Sequence, residues 1–284
     1  MSTIVPILLY HSVTGASTPR FRKWTIEPAT FAAHMKYLHD HGYLPLTVTQ
    51  WSQLMERHGQ LPAHPIVISF DDGYADFLSN ALPVLQYYGF GATLYVVTKY
   101  VGQSSSWLHA QGAGDQPMLT WAQLAAVSAA GIECGAHSHT HAQLDTIPLR
   151  EAREEITRSK SELEQHLNIS VETFSYPYGY HNASVRELVQ SAGFTSACAV
   201  KHALSTVHDD RFALSRIIIT ADTSVERLAD LLDGRNLRVA PAQERLWTKG
   251  WRVIRRLHWR MAPATYDLNA SRKTRIRAIL SKII

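Results

Sequence analysis

The stretch Ile66-Val-Ile-Ser-Phe-Asp-Asp-Gly73 decides how this chain is read. Apolar β-favouring residues and a Phe run straight into two adjacent carboxylates, and a Gly then turns the chain. Neighbouring carboxylates at the end of a buried strand repel each other, so something must offset that cost. A metal ion on one of them does so and leaves the other free to act as a base. The alternative is a solvated turn opening with Asp and Gly. About sixty residues later, His137-Ser-His-Thr-His141 could supply the remaining ligands. If that segment turns helically after a strand over Ile132–Ala136, the imidazoles of His137 and His141 face the same way, the spacing a chelate needs. His139 would then point elsewhere, as a neighbour rather than a ligand. Two His and one Asp leave coordination positions open for water and substrate, which points to metal-assisted hydrolysis.

Outward from this stretch, apolar runs alternate with longer segments of helical periodicity. Strands are expected at Val5–Tyr10, Ile66–Phe70, Ala92–Val97, Ile132–Ala136, Thr173–Tyr176, Thr195–Ala199 and Ile217–Thr220. Helices are expected at Pro28–His41, Ala75–Tyr88, Trp121–Ala130, Leu149–Leu167 and Ser184–Ala192, with Thr120 as an N-cap and Gly42, Gly89, Gly131 and Gly193 just past helix ends. Near-continuous apolar strands alternating with helices read as a parallel α/β fold, closed or nearly closed into a barrel of about seven units. Asp71, Asp72, His137, Tyr178 and His11 all follow predicted strand ends, the face of such barrels where catalytic groups gather.

A third segment, Phe174-Ser-Tyr-Pro-Tyr-Gly-Tyr180, places a sharp turn at a strand end, because Pro fixes the backbone and Gly frees it. Such a turn can aim a backbone N–H at a developing oxyanion, and its rings can wall a sugar-sized cleft. A packed aromatic turn is the alternative.

These residues carry a resemblance. The chain resembles the polysaccharide deacetylases with a NodB-homology domain, carbohydrate esterase family 4. That family's first motif (Thr or Ser, then Phe-Asp-Asp-Gly) matches Ser69 to Gly73. Its second (His, Ser or Thr, two variable positions, His) matches His137 to His141. Its third ends in Pro, an aromatic and Gly, matched by Pro177, Tyr178 and Gly179. The resemblance implies a distorted (β/α)7 barrel and hydrolysis of acetyl groups from N-acetylated sugars. It also implies Asp71 as the general base acting on water, and Asp72, His137 and His141 as ligands of a divalent metal. The Tyr178 backbone N–H would hold the oxyanion, and Tyr176, Pro177, Tyr178 and Gly179 would contact substrate. Such a donor set suits Zn2+, while Co2+, Ni2+ or Fe2+ would fit similar ligands.

Two departures from the family pattern matter. Many members carry an Arg three residues before the aromatic of the third motif, where this chain has Ser175. The late Leu-x-x-His motif is also missing, and Leu214-Ser-Arg-Ile217 occupies that region. Arg216 is therefore expected to replace the Arg by pairing with Asp71, and His11 to replace the His as the acid for the departing amine. The early Tyr-His and the third motif as it stands resemble the branch linked to exopolysaccharide and poly-N-acetylglucosamine processing. The same fold could carry an O-acetyl esterase or another C–N hydrolase, and a silent glycan-binding scaffold is the non-enzymatic alternative.

Bulk composition fits this picture: 284 residues, 45% hydrophobic and 18% charged, with two cysteines that exclude a disulfide framework. Charge is uneven. From Gln243 onward, eleven Lys or Arg face only Glu244 and Asp267, whereas the whole chain carries just +4. Residues 1–240 are thus expected to form the barrel and 241–284 a basic helical tail. Leu246, Trp247, Trp251, Ile254, Leu257 and Met261 recur there at helical spacing, which suits either an anionic membrane surface or packing on the barrel. Nucleic acid is not an expected partner. The absence of a recognisable leader or spanning segment favours a cytoplasmic protein, with peripheral contact at the inner membrane an open reading.

Overall fold

Parallel pairing organises the molecule around one curled sheet. In the computed structural model, which describes residues 4–57, 60–235, 237–240, 250–251 and 254–255, its strands are β1 (Ile7–Tyr10), β2 (Leu44–Leu46), β3 (Pro65–Phe70), β4 (Thr93–Val96), β5 (Glu133–Ala136), β6 (Thr173–Ser175), β7 (Ser196–Cys198) and β8 (Ile217–Ile218). Seven of them lie in the order β7-β6-β5-β4-β3-β1-β8, and β2 pairs with the first half of β3. The (β/α)7 expectation describes this sheet. The barrel is nearly closed, because the segment leading into β8 spans the gap. Leu214 pairs with Cys198 of β7, and three residues later Ile217 pairs with Leu8 of β1. Arg216 sits between these two pairings, at the seam.

Strand alternation divides the apolar residues into two sets. Ile66, Ile68 and Phe70 of β3 face outward onto the helices, while Val67 joins Val5, Ile7, Tyr95, Cys198 and Leu214 in a separate inner cluster. The two-residue period carries Ser69 and Asp71 onto that same inner face. Both cysteines are buried free thiols.

The helices are α1 (Pro28–Asp40), α2 (Val48–Arg57), α3 (Leu82–Tyr87), α4 (Trp121–Ala129), α5 (Leu149–Leu167), α6 (Ala183–Ser191) and α7 (Val225–Leu232). Thr120 caps α4 in a reciprocal box with Gln123. The helix expected over Ala75–Tyr88 is instead a π turn at Phe77–Ala81 followed by α3. Pro83 lacks the N–H that a continuous ladder would need there.

Helix α2 has no counterpart in the sequence reading, yet it plugs the N-terminal end of the barrel. Val48, Trp51 and Met55 pack into the inner cluster, each such side chain contributing about 1.5–3 kcal/mol on burial. Thr47 and Gln50 cap its start reciprocally, and groups far along the chain add to that cap. The Glu133 carboxylate, at the start of β5, accepts from the Val48 N–H at 3.1 Å and the Thr93 hydroxyl at 2.6 Å. A small second sheet joins Ile4–Val5 to Ala203–Thr206 and then to Arg238–Val239. Most of the basic tail expected over 241–284 lies outside the described residues. Among the described residues, no helix is long and apolar enough to cross a membrane.

The Glu133 cap generates a prediction. Glu133→Ala leaves the buried Thr93 hydroxyl without its acceptor and the Val48 N–H with Thr93 Oγ1 alone, and should lower stability by about 1–3 kcal/mol in urea unfolding. An unchanged midpoint and slope would show that α2 does not depend on this carboxylate.

Candidate active site

Asp71, His137 and His11 each enter one position past a strand end, where the ladder still holds the backbone. Asp71 N–H donates to the Tyr10 carbonyl at 3.0 Å, and His137 N–H to that of Val96 at 2.9 Å. His11 follows β1, and the Pro177 turn follows β6. Beyond these positions the backbone adopts conformations that L-residues rarely hold. Asp72, Ser138, His141 and Tyr178 all have positive φ, at 78°, 61°, 62° and 58°. Such strain persists only where surrounding contacts impose it, and it gathers at functional sites.

Those left-handed residues correct one expectation. His137 and His141 do not converge by a helical turn. The segment bends at Ser138, whose hydroxyl accepts from the His141 N–H at 3.0 Å, and bends again at His141 itself. The imidazoles still meet. His137 Nε2 lies 3.5 Å and His141 Nε2 3.3 Å from Asp72 Oδ1. Ligands about 2.0–2.2 Å from one ion at tetrahedral angles stand roughly 3.4 Å apart, so this spacing fits a single cation. His139 faces away, with Nδ1 2.9 Å from the Thr98 hydroxyl and 3.2 Å from Glu162.

The protonation chemistry fits as well. His137 Nδ1 can only donate to the Ser175 carbonyl, at 2.8 Å, which leaves Nε2 with a bare lone pair in the neutral ring. Burial pushes the His137 pKa down to about 4 despite the nearby carboxylates, so the ring is neutral at pH 7. A bare nitrogen would then face Asp72 Oδ1, a buried oxygen with no hydrogen-bond donor. Two lone pairs held that close repel each other, and a cation between them removes the conflict. Asp72, His137 and His141 therefore fit a divalent ion.

Asp71 is held differently. Arg216, fully buried, grips both its oxygens at 2.7 and 2.8 Å. The same guanidinium donates to the Ser175 hydroxyl at 2.9 Å and, through Nε, to the Ala199 carbonyl at 3.1 Å. Ser175 is small enough to admit the guanidinium where relatives of the pattern carry their own Arg. Burial alone would raise the Asp71 pKa, but Arg216 and then His137 outweigh it and hold the carboxyl below its usual range. Asp71 also lies 3.7 Å from His137 Nε2, beside the three converging groups.

His11 is partly buried, its ring 5.1 Å from that of Trp24, with Nδ1 shielded and lacking a hydrogen-bond partner. Burial lowers its pKa most, while Asp72 and Asp71 raise it, which places it in the field of the same cluster.

The third motif divides. Tyr178 is 40% exposed, and its ring packs edge-on to His141 at 4.6 Å. Gly179 is required: at φ 73° an added Cβ would sit 2.5 Å from the Val200 backbone nitrogen. Tyr176 corrects the expectation of a substrate contact. It is fully buried, its hydroxyl donates to the Phe212 carbonyl at 2.9 Å, and it supports the turn from beneath. Pro177 is buried with it. Two rings with no motif to announce them complete the wall: Trp107, 5.3 Å from His141, and Tyr100, 4.7 Å from Trp107.

Protein loaded with zinc should retain one equivalent through dialysis, while His141→Ala and Asp72→Ala retain none. Full zinc retention by both variants would place the ion elsewhere.

The chain is similar to several known proteins. The family model for polysaccharide deacetylase matches residues 58–197. YxkH of Bacillus subtilis is 27% identical over 220 residues, covering 78% of this chain and 73% of its own. The poly-beta-1,6-N-acetyl-D-glucosamine N-deacetylase of Staphylococcus aureus is 24% identical over 228 residues, covering 77% and 76%. Among solved structures, the Streptococcus pyogenes deacetylase PplD superposes with a TM-score of 0.72 at 21% identity, over 82% of this chain and 99% of that one. Residues 58–197 thus match the polysaccharide deacetylase family.

Proposed function

We propose that the chain is a metal-dependent N-deacetylase acting on an N-acetylated glycan. One observation carries this reading. Two strand-end carboxylates with opposite surroundings stand side by side, Asp72 facing two imidazoles and Asp71 locked to a guanidinium. Pairs whose environments differ in this way divide ligand and base roles. The name of the Staphylococcus aureus relative supports an N-acetylglucosamine polymer as the substrate class.

A divalent ion, zinc by its donor set, would supply a water of lowered pKa and polarise the acetyl carbonyl. The protein residues supply the rest. Asp71 takes the proton of the attacking water, and the Arg216 fork keeps it ionised and fixed in direction at neutral pH. Water oxygen bonds to the acetyl carbon while the C–N bond breaks, so the nitrogen leaves as an amine and needs one proton. His11 stands in the field of this cluster with its pKa lowered chiefly by burial, and it is the side chain assigned to take up that proton and deliver it to the amine. The Tyr178 backbone N–H would hold the oxyanion, since the Gly179 N–H is taken by the Tyr176 carbonyl at 2.7 Å, and the exposed Tyr178 ring offers a sugar-stacking face.

The direct test is acetate release from N-acetylglucosamine oligomers. Release should require added zinc and fall about 10²–10⁴-fold in Asp71→Asn. Release that survives chelation would rule out metal dependence. Acetate freed only from O-acetylated sugars would shift the reading to an esterase, and neither release nor metal binding would favour a silent glycan-binding module.

A second test concerns pH. Removing the fork in Arg216→Lys should raise the Asp71 pKa, because the partner that depressed it is weakened. The acidic limb of kcat/KM should then move to higher pH, and an unmoved limb would separate Arg216 from the base.

A further inference from the structure

Outside the motifs, one side chain touches both loops of the active face. Arg255 follows β8, the last strand of the curled sheet, by more than thirty residues, yet it is only 9% exposed. Its guanidinium grips both oxygens of Asp145, at 2.9 and 2.8 Å, and reaches the Gln143 side-chain oxygen at 3.1 Å. Its planar face lies 3.5 Å from the centre of the Tyr180 ring. Gln143 and Asp145 belong to the loop that begins at His141, and Tyr180 closes the turn that carries Tyr178. Tyr180 stacks on Tyr178 at 5.8 Å, and Tyr178 meets His141 at 4.6 Å. The contacts form a ring: His141, its loop, Asp145, Arg255, Tyr180, Tyr178 and back to His141.

We propose that Arg255 is a positioning residue, a latch from beyond the barrel that sets the aromatic turn against the loop bearing His141. The proposal rests on the deacetylase reading for its activity consequence and on geometry alone for its effect on His141. An exposed ion pair could not do this, since long charged side chains in water hold no fixed geometry. Here the Asp145 side chain is wholly buried and the fork is bidentate. The face of the fork is occupied by an aromatic ring, a use of Arg that Lys cannot reproduce. Both loops hold left-handed residues, at His141 and Tyr178, and so need outside contacts to keep their shape. Arg255, from the stretch of basic composition, thereby becomes part of the catalytic face.

The full-length protein tests this with Arg255→Lys, Asp145→Asn and the double variant, each checked for native circular dichroism. Arg255→Lys keeps a cation beside Asp145 but removes the fork and the stacked plane. Outer contacts of this kind change metal affinity by about 10–100-fold, so Co2+ should bind at least about tenfold more weakly to Arg255→Lys, with an altered visible absorption spectrum. Acetate release from N-acetylglucosamine oligomers should fall about tenfold or more in kcat/KM, since small misplacements near the reacting atoms carry losses up to about 10²-fold. The double variant should be no worse than either single one, because the pair acts as a unit. Wild-type Co2+ affinity and spectrum in folded Arg255→Lys would overturn the proposal, as would additive losses in the double variant. If the wild-type protein releases no acetate, the deacetylase reading fails while the Co2+ measurements still decide the latch. Should Arg255→Lys not fold, Arg255→Gln with Asp145→Asn, an uncharged hydrogen-bonding pair, takes its place under the same criteria.

Discussion

The fully buried ion pair between Arg216 and Asp71 is the constraint on which the rest of this structure depends. The carboxylate would not stay ionised alone in that interior, and the guanidinium would be an uncompensated buried charge. Removing one partner of such a pair costs about 3–5 kcal/mol, because the other is left buried without compensation. The guanidinium meets the cost by satisfying groups from across the barrel: Asp71 past β3, Ser175 at the end of β6 and the Ala199 carbonyl just past β7. Arg216 itself lies where the chain crosses from β7 to β1 and closes the sheet. One residue therefore seals the seam and orients the carboxylate nearest the converging histidines.

With Asp71 committed to Arg216, its neighbour Asp72 is left to the imidazoles. The left-handed backbone at Asp72 turns its carboxylate away from the Asp71 direction and toward His137 and His141. The Ser175 carbonyl fixes the His137 tautomer, and the Ser175 hydroxyl accepts from Arg216. Ser175 thus serves both halves of the site, one through its backbone and one through its side chain. A larger residue there would displace the guanidinium, which gives a physical reason for a small side chain at that position.

Much of this was legible in the sequence because it is local. Strands buried on both faces read as apolar runs, helix α5 is bounded as its periodicity predicts, and strand-end Asp and His residues announce the active face. The expectation that Arg216 would stand beside Asp71 came from noticing which group was missing from a pattern. What was not legible depends on distant partners. Helix α2 carries a local capping pair in Thr47 and Gln50, but what holds it inside the barrel is remote, with the Glu133 carboxylate eighty-five positions from the Val48 N–H it accepts. The two-residue strand at Ile4–Val5 exists only against Ala203–Thr206. Tyr176 reads like its exposed neighbour Tyr178, and only the packing beneath the turn separates them. The Arg255–Asp145 pair joins residues 110 apart with no motif at either end. The histidines converge through positive φ at Ser138 and His141, which residue identity alone does not foretell.

The account's central claim is that Asp72, His137 and His141 share one ion while Asp71 stays outside its coordination, held by Arg216. Anomalous diffraction at the zinc edge, on crystals of zinc-loaded protein, tests it most directly. The account predicts a single peak about 2.0–2.2 Å from an Asp72 carboxylate oxygen and from Nε2 of both histidines, with Asp71 still gripped by Arg216. A peak bound by Asp71, or one placed away from this triad, would contradict it.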